Sequence, residues 1–297
     1  MGAYESWLNE GEYVVHCGAR IFRSMQGARE APVLLFLHGF PTSSFDWAEV
    51  APALCADFRC VFFDFLGFGA SDKPADVPYR YQAQTDLAVA IAERAVFAPT
   101  PRVFVVAHDY GVSVGQELLA RAREGRLPFT LAGALFMNGG LYPALHRPIA
   151  MQRALAGPAG VLLTRLVAKK TLARSLRRIV AVPKAFDDEA IDEHWKAIAY
   201  NDGAARSHAL LGYIRERRVY GERWERALEQ AAVPLSFVWG VEDPISGGHV
   251  LERVREVLPG AEVCALRGVG HYPQLEAPGQ VASAIRGAAL RAFARRP

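Results

Sequence analysis

The chain has 297 residues, of which 51% are hydrophobic and 22% charged, and its 34 basic and 31 acidic residues leave a net charge of +3. This composition excludes a disordered chain, a collagen-like fibre and a disulfide-dense scaffold, and the near balance of charge argues against nucleic acid as a partner. The length fits one large domain or two, at roughly 150 residues per domain.

Cysteine usage and the lack of long apolar stretches indicate the compartment. The four cysteines form no C-x-x-C pair and no zinc-site spacing, which is typical of free thiols in a reducing environment. Residues 154–168 are the most apolar stretch, but glycine, proline and arginine interrupt it, so we expect no membrane span. The first residues lack the basic start and apolar run of a signal peptide. We therefore expect a cytoplasmic protein.

The first part of the chain alternates strand-like and helix-like segments. The predicted strands are residues 12–17 and 20–25, which form a pair, then 33–37, 59–65, 103–107 and 131–137. The predicted helices are residues 44–56, capped by Ser44, then 81–96 and 111–124. Strands that alternate with helices predict an α/β fold with a mostly parallel sheet and helices on both faces.

The alternation stops near residue 141 and resumes near residue 231. The intervening segment is rich in Arg and Leu, is mostly helical in period and contains no convincing buried strand. Then come a strand at 235–239, a helix at 249–258, a strand at 262–266 and a helix at 278–295. We predict a core domain of residues 1–140 and 231–297. Residues 141–230 are then a helical cap over the carboxyl ends of the strands, where open α/β sheets bind ligands.

A turn between a strand and a helix carries the first candidate for chemistry. The apolar strand 103–107 leads to Asp109, with Ala107 two places before it and Gly111 two places after it. Small residues there let the chain turn sharply and present one side chain above the sheet, as in a nucleophile elbow. We predict that Asp109 is the nucleophile, because a simple helix N-cap would not explain the small residues.

A serine motif overlaps the same segment. Residues 111–115 read Gly-Val-Ser-Val-Gly and match the serine-hydrolase pattern G-x-S-x-G. Because the strand ends before His108, Ser113 falls in the first turn of the helix, beyond the apex of the turn. We interpret Ser113 as a small helix residue and keep a serine esterase as an alternative.

Two backbone amides are predicted to form an oxyanion hole beside the elbow. In this arrangement one donor comes from the residue after the nucleophile, here Tyr110, and the other from the loop after an earlier strand. That loop is His38-Gly39-Phe40-Pro41, directly after the strand 33–37, so we predict Phe40 as the second donor.

The loops after two later strands supply the rest of a catalytic triad. Asp243 follows the strand 235–239, and His271 follows the last strand in a Gly-rich loop. The chain order nucleophile, acid, histidine is the one expected with such an elbow. Glu242 is a neighbouring alternative for the acid, whereas Asn138, after another strand, carries no charge.

Several segments together resemble a known family. They are residues 38–44 (HGFPTSS), 64–69 (DFLGFG), 71–74 (SDKP), 108–111 (HDYG), 138–140 (NGG), 146–148 (HRP), 201–203 (NDG) and 271–276 (HYPQLE). The chain resembles the α/β-hydrolase fold, in the branch of epoxide hydrolases and haloalkane dehalogenases, and most closely the mesoderm-specific transcript protein family. The resemblance covers almost the whole chain, including the cap.

An aspartate nucleophile implies a two-step hydrolysis. A carboxylate with an ordinary pKa near 4 is ionised at neutral pH and attacks without a base. Asp109 would form an alkyl ester with an electrophilic carbon, and His271, oriented by Asp243, would activate the water that hydrolyses this ester. This chemistry requires no metal and no organic cofactor, and its expected partners are a small hydrophobic substrate and water.

The leaving group separates the two branches. Opening an epoxide produces an alkoxide that a lid acid must protonate, and the resemblance to epoxide hydrolases implies Tyr213 for this role, with Tyr142 or His146 as substitutes for a first lid tyrosine. Halide release instead uses two N–H donors, commonly from tryptophan or asparagine, and this chain has Tyr110 and Phe40 in those places.

Further candidates line the expected pocket and the cap. We predict substrate contacts for His38, Trp47, His108, Tyr142 and His146, while Trp47, Trp195 and Trp224 leave a halide site open. Residues 147–184 carry nine basic residues and no acidic ones: Arg147, Arg153, Arg165, Lys169, Lys170, Arg174, Arg177, Arg178 and Lys184. Such a segment can contact a membrane surface, although a solvated cap face is the simpler interpretation.

The sequence thus predicts a cofactor-independent epoxide hydrolase. The alternatives are a haloalkane or haloacetate dehalogenase with the same triad, a serine esterase, and a catalytically silent ligand-binding scaffold. Nothing in the sequence indicates an oligomeric state.

Overall fold

The computed structural model describes residues 2–96, 101–147 and 168–295. Within them, eight strands form one sheet in the order β1-β2-β4-β3-β5-β6-β7-β8. The strands are β1 (Gly11–His16), β2 (Ala19–Gln26), β3 (Val33–Leu37), β4 (Arg59–Phe63), β5 (Arg102–His108), β6 (Thr130–Met137), β7 (Leu235–Gly240) and β8 (Glu262–Leu266). Strands β1 and β2 form an antiparallel hairpin, and β2 also pairs antiparallel with β4. The remaining pairs are parallel. The predicted α/β-hydrolase fold is confirmed.

Helices cover both faces of this sheet. They are α1 (Ala3–Asn9), α2 (Ala51–Leu54), α3 (Tyr81–Glu93), α4 (Tyr110–Arg123), α5 (Lys169–Arg177), α6 (Asp188–Ala199), α7 (Gly203–Leu210), α8 (Tyr213–Glu229), α9 (Gly248–Val257), α10 (Pro273–Glu276) and α11 (Pro278–Ala294). Successive side chains of a strand point to opposite faces. Accordingly, Leu35 and Leu37 pack in a core with α4 and α8, whereas Leu34 and Phe36 pack in a second core with α2 and α11.

The predicted helix over residues 44–56 is wrong. Residues Ser44–Trp47 form a short 3-10 turn that Ser43, not Ser44, caps through its hydroxyl. The Ser44 amide instead donates to Asp64 Oδ1 at 2.7 Å. The helix α2 begins only at Ala51, because Pro52 has no N–H to continue an earlier helix and is favoured at a helix start.

The helices α5 to α8 lie in the segment predicted to form a cap, and some of their residues form a small hydrophobic cluster. Leu172, Leu176 and Ile191 pack there with Tyr272 and Ile245, which belong to the sheet side of the molecule. The last cap helix, α8, packs along α4 and shares the main core. The division of the chain at residues 141 and 230 stays a prediction.

The basic part of the cap lies partly outside the described residues, including Arg153 and Arg165. In the described part, Lys169 pairs with Asp192, and Arg177 pairs with Asp188 at 2.6 Å, both on α6. None of the described helices has the length and apolarity that crossing a membrane requires. Contact of the cap with a membrane surface stays a prediction.

Candidate active site

The turn between β5 and α4 has the backbone geometry of a nucleophile elbow. Asp109 has φ of 44° and ψ of −103°, a conformation that is uncommon for a non-glycine residue. It is maintained by close packing, because a Cβ on Gly111 would lie 2.5 Å from the Leu37 carbonyl oxygen and one on Gly39 would lie 3.0 Å from the Asp109 Cβ. Of the small residues recognised in the sequence, Gly111 is therefore a steric requirement of this turn.

The structure brings Asp109, His271 and Asp243 together at the carboxyl ends of the strands. His271 Nδ1 donates to Asp243 Oδ2 at 2.8 Å, and His271 Nε2 lies 3.7 Å from Asp109 Oδ1. All three side chains are buried. Glu242, the alternative acid, is exposed, so the geometry favours Asp243 as the partner of the histidine.

The charges of Asp109, Asp243 and His271 shift one another's pKa values. Burial alone would raise the pKa of Asp243, but the charge of His271 and three hydrogen-bond donors lower it to about 2. Burial likewise opposes a charged imidazole, yet the two neighbouring carboxylates raise the pKa of His271 to about 9. Against its own burial, Asp109 has a lowered pKa because of His271, Arg217, His108 and the Phe40 amide. The resting site therefore holds an imidazolium between two carboxylates.

The predicted oxyanion donors flank the nucleophile. The Phe40 amide donates to Asp109 Oδ2 at 2.9 Å. Tyr110 is the first residue of α4, and the first amides of a helix have no partner within the helix itself. The second carboxylate oxygen of Asp109, Oδ1, is the one that faces His271.

Two of the predicted substrate-binding histidines form hydrogen bonds with other residues of the protein through both ring nitrogens. His38 contacts the Gly39 carbonyl oxygen at 2.9 Å through Nδ1 and accepts from the Phe65 amide at 3.1 Å through Nε2. His108 binds the His271 carbonyl oxygen at 2.7 Å and the Gln274 side chain at 3.1 Å. These contacts make both rings supports for the neighbouring loops rather than groups that face a substrate.

The other predicted pocket residues divide between the site and the core. Trp47 is fully buried in the second core against Phe36, and its predicted substrate contact stays a prediction. The Arg253 guanidinium carbon lies 5.8 Å from the centroid of the Tyr142 ring, Glu229 is a charged neighbour of this phenol, and its predicted substrate contact stays a prediction. The charges of the site act on His146. Its burial, and then the charge of Arg217, lower the pKa of His146 to about 4, although the charge of Asp109 favours a higher pKa.

Tyr213, the predicted lid acid, lies beside the oxyanion residues. It begins α8, is fully buried, and its ring centroid is 6.0 Å from that of Phe40 and 5.5 Å from that of Tyr110. Ser113 is bound elsewhere, since its Oγ accepts from Arg217 Nε at 2.9 Å.

Sequence reasoning missed residues that hold the site from behind. Asn138 donates to Asp243 Oδ2 at 2.9 Å, and its carbonyl oxygen accepts from the Asp109 amide at 3.1 Å. Glu276 accepts from the Gly270 and Tyr272 amides, on either side of His271. The quoted segments NGG and HYPQLE contain both residues, but only the folded chain reveals their contacts. Within the described ranges, no group of three or more His, Cys, Asp or Glu could hold a metal ion.

Comparisons with known proteins place the chain in a family. The model of the family described as "Alpha/beta hydrolase family" matches residues 34–284. LipZ of Mycobacterium tuberculosis is 39% identical over 280 residues, which are 94% of this chain and 95% of that protein. The mesoderm-specific transcript homolog protein of Homo sapiens is 36% identical over 286 residues, which are 93% of this chain and 84% of that protein.

Solved structures with little sequence identity share the fold. The haloalkane dehalogenase DbeA from Bradyrhizobium elkani has a TM-score of 0.78 at 22% identity, covering 96% of this chain and 98% of that one. The epoxide hydrolase CorEH has a TM-score of 0.76 at 22% identity, covering 95% of this chain and 98% of that one. The resemblance identified in the sequence is thus confirmed, and the chain belongs to the alpha/beta hydrolase family.

Proposed function

We propose that the protein is a cofactor-independent hydrolase whose nucleophile is Asp109, and that it opens epoxides to vicinal diols through an alkyl-enzyme ester. One observation carries the proposal. The residue at the apex of the elbow is a carboxylate with one oxygen on the Phe40 amide at 2.9 Å and the other facing His271 at 3.7 Å. A serine at this apex would need a base to attack, whereas an ionised carboxylate does not.

In the first step, Asp109 Oδ1 attacks a carbon of the epoxide. Oδ2 stays on the Phe40 amide and becomes the carbonyl oxygen of the ester. As the new C–O bond forms, the epoxide C–O bond breaks and its electron pair moves to the leaving oxygen. Tyr213 gives its proton to this oxygen and becomes a phenolate. A phenol suits this role because its ordinary pKa near 10 keeps it protonated at neutral pH.

In the second step, His271 removes a proton from a water that attacks the ester carbonyl carbon. The negative charge on the tetrahedral oxygen is stabilised by the Phe40 and Tyr110 amides. Collapse of this intermediate breaks the bond between the carbonyl carbon and the alkyl oxygen, and His271 returns the proton to that oxygen. The products are a diol and the Asp109 carboxylic acid, whose proton passes to the Tyr213 phenolate and restores both groups, so one water is consumed for each epoxide.

Contacts of the tryptophans and of Ser113 favour this reaction over the alternatives. The Trp224 indole N–H donates to Glu117 at 2.8 Å, so it is not available as a halide donor, and Trp47 packs in the second core. Ser113 binds the guanidinium of Arg217 rather than a base. A dehalogenase remains the second candidate because DbeA shares the fold.

A substrate panel with one matched variant tests the proposal. Purified protein is given epoxides, haloalkanes, haloacetates and aryl esters, and we expect diol from the epoxides. Tyr213→Phe keeps the ring but removes the donor, and it should slow epoxide opening by roughly 10- to 1,000-fold. Alkylation by any haloalkane substrate should change little, since halide needs no proton. Turnover of haloalkanes alone, or epoxide opening unchanged in Tyr213→Phe, would contradict the proposal.

A further inference from the structure

A buried arginine lies behind the nucleophile elbow. The start of α8 carries Arg215, Arg217 and Arg218, but only Arg217 is buried, with 2% of its surface exposed. Its guanidinium fits because residue 140 is glycine: a Cβ there would lie 2.6 Å from Arg217 Nη1. The chain thus provides space for one cation at this position.

The contacts of Arg217 join it to the elbow. Its Nε donates to Ser113 Oγ at 2.9 Å, and its Nη2 donates to the carbonyl oxygen of Asp109 at 3.2 Å. Nη1 makes no hydrogen bond, and no described carboxylate forms an ion pair with this guanidinium. Burying a cation is costly when no carboxylate is hydrogen-bonded to it, and the charge of the nearby Asp109 carboxylate offsets part of that cost. The acidic group that favours a charged arginine here is therefore the proposed nucleophile itself.

Arg217 also faces the predicted lid acid. Its guanidinium carbon lies 4.8 Å from the centroid of the Tyr213 ring, four residues earlier on the same helix, which is cation–π geometry. A cation on the ring face stabilises the phenolate that remains after Tyr213 donates its proton more than it stabilises the neutral phenol. One fixed positive charge therefore adjoins both the nucleophile and the acid.

We propose that Arg217 is a positioning residue for the ester-forming step, which holds the elbow through the Asp109 carbonyl and stabilises the negative charge first on Asp109 and then on Tyr213. This inference rests on the proposed function. During the step, the charge leaves the Asp109 carboxylate and, after proton transfer, resides on the Tyr213 oxygen. The ester hydrolysis that follows uses His271 and the oxyanion amides, so Arg217 contributes less to it.

Other titratable groups face the same centre and shape its pH dependence. Those acting on Asp109 and Arg217 are His271, His108, His146, Tyr81 and Tyr213. Among them, His271 is common to both half-reactions, so the two steps must be measured separately to isolate the effect of Arg217.

The experiment measures ester formation in chains that carry His271→Gln, which blocks hydrolysis. Intact mass spectrometry follows the rate at which an epoxide alkylates Asp109 between pH 4 and 9. The rate is compared between the chain that retains Arg217 and the chains with Arg217→Met or Arg217→Lys. The control is Arg218→Met, an exposed arginine next along the same helix. Gly140→Ala is a second perturbation that displaces the guanidinium without removing its charge. Melting curves confirm that each variant is folded.

We expect Arg217→Met to slow ester formation by about 10- to 100-fold and to shift its pH dependence upwards, since Asp109 loses a neighbouring cation. Arg217→Lys should recover part of the rate, Gly140→Ala should slow the step, and Arg218→Met should match the parent chain. In chains that retain His271, ester hydrolysis should change by less than about threefold in Arg217→Met.

Three outcomes overturn the proposal and are distinguishable. If the parent His271→Gln chain forms the ester and folded Arg217→Met forms it at the same rate and pH dependence, only the inference about Arg217 fails. An equal slowing of both steps with no change in pH dependence also refutes it, because that is the signature of a purely structural residue. If no epoxide alkylates Asp109 in the parent chain, the proposed function fails and the inference fails with it.

Discussion

The two half-reactions should respond differently to pH, because esterification changes the charge beside His271. In the resting site, two carboxylates raise the pKa of His271 to about 9. Forming the ester neutralises Asp109, whose Oδ1 lies 3.7 Å from His271 Nε2. Two opposite unit charges at about 4 Å attract by about 4 kcal/mol at an effective dielectric constant near 20, which corresponds to about three pKa units. The pKa of His271 should therefore fall from about 9 towards its ordinary value near 6.5 when the ester forms.

Rapid-quench measurements separate the two rates across pH 5 to 9. Ester formation should be almost independent of pH above pH 5, because Asp109 has a lowered pKa and stays ionised. Ester hydrolysis should rise with pH and level off above about pH 7, where His271 in the ester is neutral. A hydrolysis midpoint at pH 9 or above would refute the reasoning, since the charge of Asp109 would then have no effect on His271.

Three substitutions test other parts of the site. Asp243→Asn removes the carboxylate that orients His271. In single-turnover measurements it should slow ester hydrolysis by roughly 100- to 10,000-fold and ester formation far less. An equal loss in both steps would argue against this role. Ser113→Ala should retain most activity in steady-state assays, and inactive but folded protein would restore the serine as the nucleophile. Gly111→Ala places a Cβ 2.5 Å from the Leu37 carbonyl oxygen and should lower the free energy of unfolding by roughly 1–3 kcal/mol in urea titrations; unchanged stability would contradict the packing of the elbow.

Local signals explain why the sheet and the catalytic loops could be predicted from the sequence. The bounds of β3 and β8 agree with the predicted residues, because short, mostly apolar runs between turn residues predict strands, although β3 is fully buried and β8 is mostly half-buried or exposed. Asp109, Asp243 and His271 each follow a strand, and parallel strands bring their carboxyl ends to one edge. Chain order along the sheet was therefore enough to expect them together.

Long-range packing explains what the sequence could not predict. Trp47 has the size and chemistry of a pocket residue, but its packing against Phe36 depends on how a distant turn folds onto the sheet. Arg217 is one of three arginines within four positions, and only the docking of α8 on α4 selects it for burial. A single sequence carries no local signal for such choices.

The most direct test of the central claim is the mass of the His271→Gln chain after incubation with an epoxide. Asp109 should still attack, and hydrolysis should stop, so intact mass spectrometry should find a stable adduct of about one substrate per chain. Peptide mapping should locate this adduct on Asp109, and the double variant with Asp109→Asn should remain unmodified. A folded His271→Gln chain that stays unmodified with an epoxide that the parent protein turns over, or an adduct on Ser113, would contradict an aspartate nucleophile.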